Sequence, residues 1–151
     1  TWKGHLTGTT YAIQGNILLG PQVLDSIENA FLRTKGQWLG DRLMAALQAT
    51  KFAGADARCL DIGLSAFSAF VRVAKPNDEY NMLYLDLNVR EVDTAGIPIS
   101  DYIDPIDSLQ NVYNYWKDTV TVVSIYNQKK ITHNPVKIFP NPFTESTVFY
   151  F

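Results

Sequence analysis

The stretch GNILLGPQVL, Gly15 to Leu24, passes from one hydrophobic rhythm to another with no polar spacer. Upstream of its centre, residues 9–19 (TTYAIQGNILL) read as one strand, or two bent at Gly15. Tyr11, Ile13, Ile17 and Leu19 fall on alternating positions there. Downstream, Val23, Leu24, Ile27, Ala30 and Phe31 repeat at helical spacing and form one apolar stripe. Pro21 suits a first helical turn, where a missing N–H costs nothing. Lys35 and Gly36 supply a basic last turn and a glycine stop. Thr7, Gln14 and Asn16 are polar in a segment otherwise suited to burial. The corner is therefore either a plain strand-to-helix turn or one built to hold something.

Working outward, a second helix is predicted at about residues 37–50, with Leu39, Leu43, Ala46 and Leu47 as its stripe and Met44 at the margin. KFAGADARCLDIG, from Lys51, breaks the pattern with two glycines. LSAFSAFVRV (64–73) reads as a strand covered on both faces, because it carries little charge before Arg72. Pro76-Asn77-Asp78 makes a turn. In LYLDLNVREV (83–92), Leu83, Leu85, Leu87 and Val89 point one way, and Tyr84, Asp86, Asn88 and Arg90 the other. Asp93 to Asp101 is loop-like. Asp104-Pro105 opens a third helix, with Asp as N-cap and Pro at the first position. Ile106, Leu109, Val112, Tyr113 and Trp116 give that helix an apolar face. After Lys117, TVTVVSIYNQKKIT is β-prone, and a domain boundary is expected within 118–135.

Composition sets the limits. The chain has 151 residues, 46% apolar and 19% charged, which suits a globular protein of ordinary domain size. Net charge is −2 and no basic patch is interleaved with aromatics, so nucleic acid is not an expected partner. No apolar run approaches the roughly 20 residues of a membrane span. Cys59 is the single cysteine, so no disulfide forms within the chain. His5 and His133 lie far apart and match no metal-ligand spacing; no metal and no other cofactor is expected.

Two resemblances add what spacing cannot. Val136 to Phe151, VKIFPNPFTESTVFYF, has a strand, a Pro-Asn-Pro corner, a few polar residues and another strand. It resembles the opening of the C-terminal sorting domain that Bacteroidetes-type bacteria use for type IX secretion. That resemblance implies a secreted or cell-surface protein handled by the type IX machinery. It also makes 136–151 the truncated start of a β-sandwich-like sorting domain, after a linker at 118–135.

GHLTGTTYAIQGNILLGPQVLDSIENAF with LMAALQATKFAGADARC resembles the family known as domain of unknown function 1028. The shared features are Gly4, His5, Thr7 and Gly8; Tyr11, Ala12, Gln14, Gly15, Asn16, Leu18 and Gly20; and Gly54, Asp56 and Arg58. The family is grouped with the N-terminal nucleophile hydrolases. The resemblance therefore implies an α/β (α+β) fold, with residues 1–117 as the C-terminal half of a four-layer αββα sandwich. It implies amide-bond hydrolysis in peptide or peptidoglycan-like material by a processed N-terminal Ser, Thr or Cys. A non-catalytic secreted or cell-surface binding protein on the same fold is the alternative. Thr1 precedes the Gly-His segment in mid-domain and is not taken as the nucleophile. The expected nucleophile is thus lacking and residues 1–151 are expected to be inactive alone. Assembly into a homo-oligomer is left open.

The residues singled out each carry two readings. His5 is the weak catalytic candidate, since an imidazole titrates near neutrality, or it is a loop hydrogen-bonder. Gln14 and Asn16 donate amide N–H groups to a substrate carbonyl or oxyanion, or they tie down nearby backbone. Gly15 and Gly20 allow unusual backbone angles or close approach. Asp56 and Arg58 pair and cap the turn after the second helix, or Arg58 receives a substrate carboxylate. Cys59 is read as a small core residue, and Tyr113, Tyr115 and Trp116 as helix-face contacts.

Overall fold

The computed structural model describes residues 1–89, 103–130 and 147–150. Two antiparallel strands come first, β1 (Trp2–Thr7) and β2 (Tyr11–Leu18). Two helices follow, α1 (Gln22–Arg33) and α2 (Leu39–Gln48), and then a 3-10 turn at Ala57–Ile62. A second antiparallel pair is β3 (Ala69–Val73) and β4 (Leu85–Val89). Helix α3 spans Pro105–Lys130, and β5 (Thr147–Tyr150) lies parallel to β2. The fold is mixed α+β, with one sheet in the order β1-β2-β5 and a second made of β3 and β4.

The helical stripes land where their periodicity puts them. Val23, Leu24, Ile27, Ala30 and Phe31 are all buried on α1, and Leu39, Leu43, Met44, Ala46 and Leu47 on α2. Met44 belongs to the core rather than its margin. The Arg42 guanidinium lies 3.7 Å from the Phe31 ring and Nη2 donates to the Phe31 carbonyl at 3.0 Å, tying α2 to the end of α1. Asp104 caps α3 as its sequence implies: Oδ1 accepts from Ile106 N at 2.9 Å and Pro105 begins the helix. Ile106, Leu109 and Tyr113 are buried, and the Trp116 ring stacks on Trp38 at 5.6 Å. Tyr84 meets both tryptophans edge-on. Asp41, in the first turn of α2, accepts from Tyr113 Oη at 2.8 Å and Lys117 Nζ at 2.6 Å, so α2 and α3 are pinned together.

Several expectations are corrected. Trp2–Thr7 forms β1, a strand the alternation of 9–19 did not include. Ile13 is fully buried, but the next buried residue on β2 is Leu18, and Leu19 is 41% exposed. The predicted pairing of Ile17 and Leu19 with the buried face is therefore shifted by one. The cause is a bulge: three residues of β1, Trp2 to Gly4, lie opposite four of β2, Gly15 to Leu18. One extra residue sends every later side chain to the opposite face. The left-handed backbone falls on Ile17, at φ 57°, and on neither Gly15 nor Gly20.

The strand predicted over 64–73 is confined to Ala69–Val73 and is buried on one face only, with Phe70 48% exposed. β3 pairs with β4 alone among the described residues, and its outer face carries the Arg72–Asp86 ion pair at 2.8 Å. On α3, Val112 and Tyr115 are exposed, so the apolar face is narrower than predicted. The β-prone residues 118–130 continue α3. A helix already nucleated and capped extends at little cost, and β propensity is the weaker prior. The predicted loop at 93–101 and the segment 131–146 lie outside the described residues. The predicted strand at the chain's end is present as β5.

Candidate functional site

A cavity of about 240 Å³ opens at the C-terminal end of β2. Its floor is apolar, with Leu18, Val23, Leu47 and Ile106. Its rim carries Asn16, Asp56, Arg58 and the run Ser65–Phe70. Pockets for drug-sized ligands run from about 300 Å³ upward, so this one suits a side chain or two with their peptide groups.

The rim is assembled from backbone pairings. Gly54, at φ 78°, takes the left-handed angle that lets the chain reverse after α2. Ala55 and Asp56 then run beside β2: Leu19 N donates to the Ala55 carbonyl at 3.2 Å and Leu18 bridges Asp56. On their other side, Gly54 N donates to Leu64 O and Asp56 N to Ser65 O, both at 2.8 Å. Asp56 caps the 3-10 turn, accepting from Arg58 N at 3.0 Å. Its carboxylate also takes the Arg58 guanidinium in a two-pronged pair, Nε to Oδ1 at 3.0 Å and Nη2 to Oδ2 at 2.6 Å. Both sequence readings of a paired and capping Asp56–Arg58 hold together in one geometry. The Arg58 side chain beside it lowers the Asp56 pKa, against the opposing effect of burial. The guanidinium sits 5.6 Å from the centre of the Phe67 ring. A compensated Arg beside an aromatic ring offers a polar but nearly neutral surface, better suited to an amide than to a bare anion.

Asn16 stands on the bulge, exposed, with no side-chain hydrogen bond among the described residues. Ile17 beside it takes a conformation that is rare for a β-branched residue. Gly15 is needed for contact rather than for its angles: a Cβ there would come within 2.7 Å of the Leu18 side chain.

Gln14 and His5 are not part of this cavity. They are cross-strand partners on the exposed face of the β1–β2 pair. The structure thus brings Asn16, Asp56 and Arg58 together and leaves Gln14 and His5 apart.

Sequence reasoning missed the Ser65–Phe70 wall. Its signal was the tripeptide SAF twice over, whose period of three fits neither a strand nor a helix. Ser65 is buried; its Oγ donates to Asp104 Oδ1 at 2.9 Å and its N to Oδ2 at 2.8 Å. Thr50, also buried, donates to the Leu47 carbonyl at 2.8 Å. Neither hydroxyl is presented as a nucleophile. Cys59 is fully buried, and burial first, then the Asp56 carboxylate, pushes its thiol up to about 11. Among the described residues, no group of three or more His, Cys, Asp and Glu could hold a metal ion, and no helix is long and apolar enough to cross a membrane.

Residues 1–101 match the family of unknown function DUF1028. The chain belongs to that family. The matched region holds β1 to β4, the bulge and all three clustered rim residues. Neither a curated protein nor a solved structure matches the DUF1028 chain.

Proposed function

We propose that the chain is part of a secreted protein of the N-terminal nucleophile hydrolase type that acts on amide bonds in peptide or cell-wall material. The cavity at the end of β2 serves as its substrate-binding part. The observation that carries this reading is the convergence of Asn16, Asp56 and Arg58 on one small, apolar-floored cavity. An amide with no side-chain hydrogen bond among the described residues, on a strained bulge, suits a substrate carbonyl, and the floor suits a small aliphatic side chain. Relation to a four-layer sandwich, and passage through type IX machinery, rest on the sequence motifs described above.

A non-catalytic binding protein is the second reading. Its specific support is that the residues gathered at the cavity are an amide and a charge-compensated Asp56–Arg58 pair, groups that bind rather than attack. The two readings separate in one experiment. The chain alone, for binding, and the chain joined to the N-terminal part expected to supply the nucleophile, for cleavage, are incubated with acylated di- and tripeptide amides and with peptidoglycan stem peptides, with calorimetry for binding and mass spectrometry for cleavage. Saturable binding that Asn16→Ala weakens supports the site, and cleavage then decides for the enzyme over the binder. Neither binding nor cleavage across the panel overturns both.

A further inference from the structure

One grouping of side chains occurs twice beside the cavity. At its rim the Arg58 guanidinium lies 5.6 Å from the centre of the Phe67 ring and is paired with Asp56 at 2.6 Å. On β3 the Arg72 guanidinium lies 5.6 Å from the centre of the Phe70 ring and is paired with Asp86 at 2.8 Å. Phe67 and Phe70 both line the cavity, so the second grouping adjoins the first.

The second grouping belongs to one face of the β3–β4 pair. Phe70 and Arg72 are the exposed residues of β3, and Asp86 and Asn88 those of β4. Phe70 stands opposite Asn88 and Arg72 opposite Asp86, and residues two apart or directly paired point to the same side. Phe70 keeps 48% of its surface exposed.

The chemistry of that face selects its ligand. Arg72 and Asp86 cancel in charge, so an anion would have to displace the carboxylate from the guanidinium. Phe70 is the single apolar residue of the four, too little for the apolar centre of a protein interface. A sugar ring has an apolar C–H face and a rim of hydroxyls that both donate and accept. Its C–H face suits an exposed aromatic ring. Its hydroxyls suit a donor and an acceptor held 2.8 Å apart, together with the Asn88 amide, which is both.

We propose that the β3–β4 face is a sugar platform continuous with the cavity, and that its ligand is a glycan of N-acetylated sugars from cell-wall material. This rests on the reading of the cavity as an amide site and names a class of ligand that brings the amide. An acetamido group enters the cavity, its methyl on the floor of Leu18 and Val23 and its carbonyl toward Asn16. A neighbouring sugar ring stacks on Phe70, with its hydroxyls against Arg72, Asp86 and Asn88.

The full chain is titrated under NMR with N-acetyl-alanyl-valine amide, with tri-N-acetylchitotriose and with cellotriose, which has the same sugar backbone without acetamido groups. The expected result is saturable movement of the Asn16 and Asn88 side-chain amides and of Arg72 Nε–H by tri-N-acetylchitotriose. Cellotriose is expected to bind more weakly by about tenfold or more. Phe70→Ala, which removes an exposed ring and spares the core, is expected to weaken tri-N-acetylchitotriose by about fivefold or more. Binding of the diamide without binding of either saccharide overturns the platform and leaves the amide reading standing. Saccharide affinity that Phe70→Ala leaves unchanged also overturns the platform, and equal affinity for cellotriose overturns the acetamido anchor. No saturable shift from any of the three overturns both readings together. Sedimentation with purified peptidoglycan and with chitin tests the source: retention by peptidoglycan is expected, and retention by chitin alone overturns the cell-wall assignment.

Discussion

Between Val23 and Leu47 every apolar residue on a helical stripe is buried, whereas between Gln14 and Leu19 burial follows no single period. The two regions adjoin in sequence and share Leu18, Val23 and Leu47 as neighbours of the same cavity. In the first, the stripes form one packed core, and Leu32, off the stripe, is exposed. In the second, the Asn16 amide has no side-chain hydrogen bond among the described residues and the β-branched Ile17 holds a left-handed angle. The contrast separates what keeps the chain folded from what it has available to bind with.

That contrast can be broken from the stable side first. Phe31→Ala removes a fully packed ring, its edge contact with Tyr11 at 5.5 Å and the platform for Arg42. A loss of about 3–5 kcal/mol is expected in denaturant unfolding, with the cavity lost alongside the fold. Asp104→Ala joins the regions, because one carboxylate caps α3 and holds Ser65 in the cavity wall. Losing the cap and leaving Ser65 unsatisfied is expected to cost about 2–4 kcal/mol. An unfolding midpoint unchanged within error would show that α3 and the wall are not coupled through Asp104.

Smaller effects are expected at the corner itself. Ile17→Gly relieves the left-handed angle, worth about 1–2 kcal/mol, but gives up a half-buried side chain and adds chain entropy. The net change in stability is expected within about 1 kcal/mol of zero, while ligand binding weakens as the bulge loosens. A loss as large as that of Phe31→Ala would place Ile17 in the core and erase the distinction.

The Asp56–Arg58 pair gives a pH signature. The folded pKa of Asp56 lies below the ordinary 3.8, so the stabilisation is fully present above about pH 3.8 and fades as pH falls through the depressed folded value. The carboxyl carbon of Asp56, followed by NMR, is expected to titrate below 3.8, and the Arg58 Nε–H signal is expected to move with it. The smallest expected effect is at Cys59. With its thiol pushed up to about 11 and fully buried, it is expected to resist alkylation at neutral pH in the folded chain and to react promptly in denaturant.

Legibility in the sequence divides along the same line. The stripes of α1 and α2 and the Asp104-Pro105 start of α3 were readable because each depends on local spacing or a local cap. The strand β4 was readable at Leu85, Leu87 and Val89 for the same reason. The bulge was not, because an extra residue in β2 is defined only against β1, and β1 carries no clear alternation of its own around Gly4. The open face of β3 was missed because small, uncharged residues signal burial as readily as a cavity wall. Of the site, Asp56 and Arg58 were singled out through the family resemblance, and the structure pairs them. The convergence of Asn16 with that pair, and the separation of His5 and Gln14 from it, are consequences of which edge of β2 each element joins.

The most direct measurement is an NMR titration of the full chain with N-acetyl-alanyl-valine amide, a neutral diamide small enough for the cavity. Saturable shifts are expected at the Asn16 side-chain amide, at Arg58 Nε–H and at Phe67, with His5 and Gln14 unmoved on the outer face of β1 and β2. Shifts centred on His5 and Gln14 with a silent cavity would contradict the account, and the site would belong on the exposed face instead.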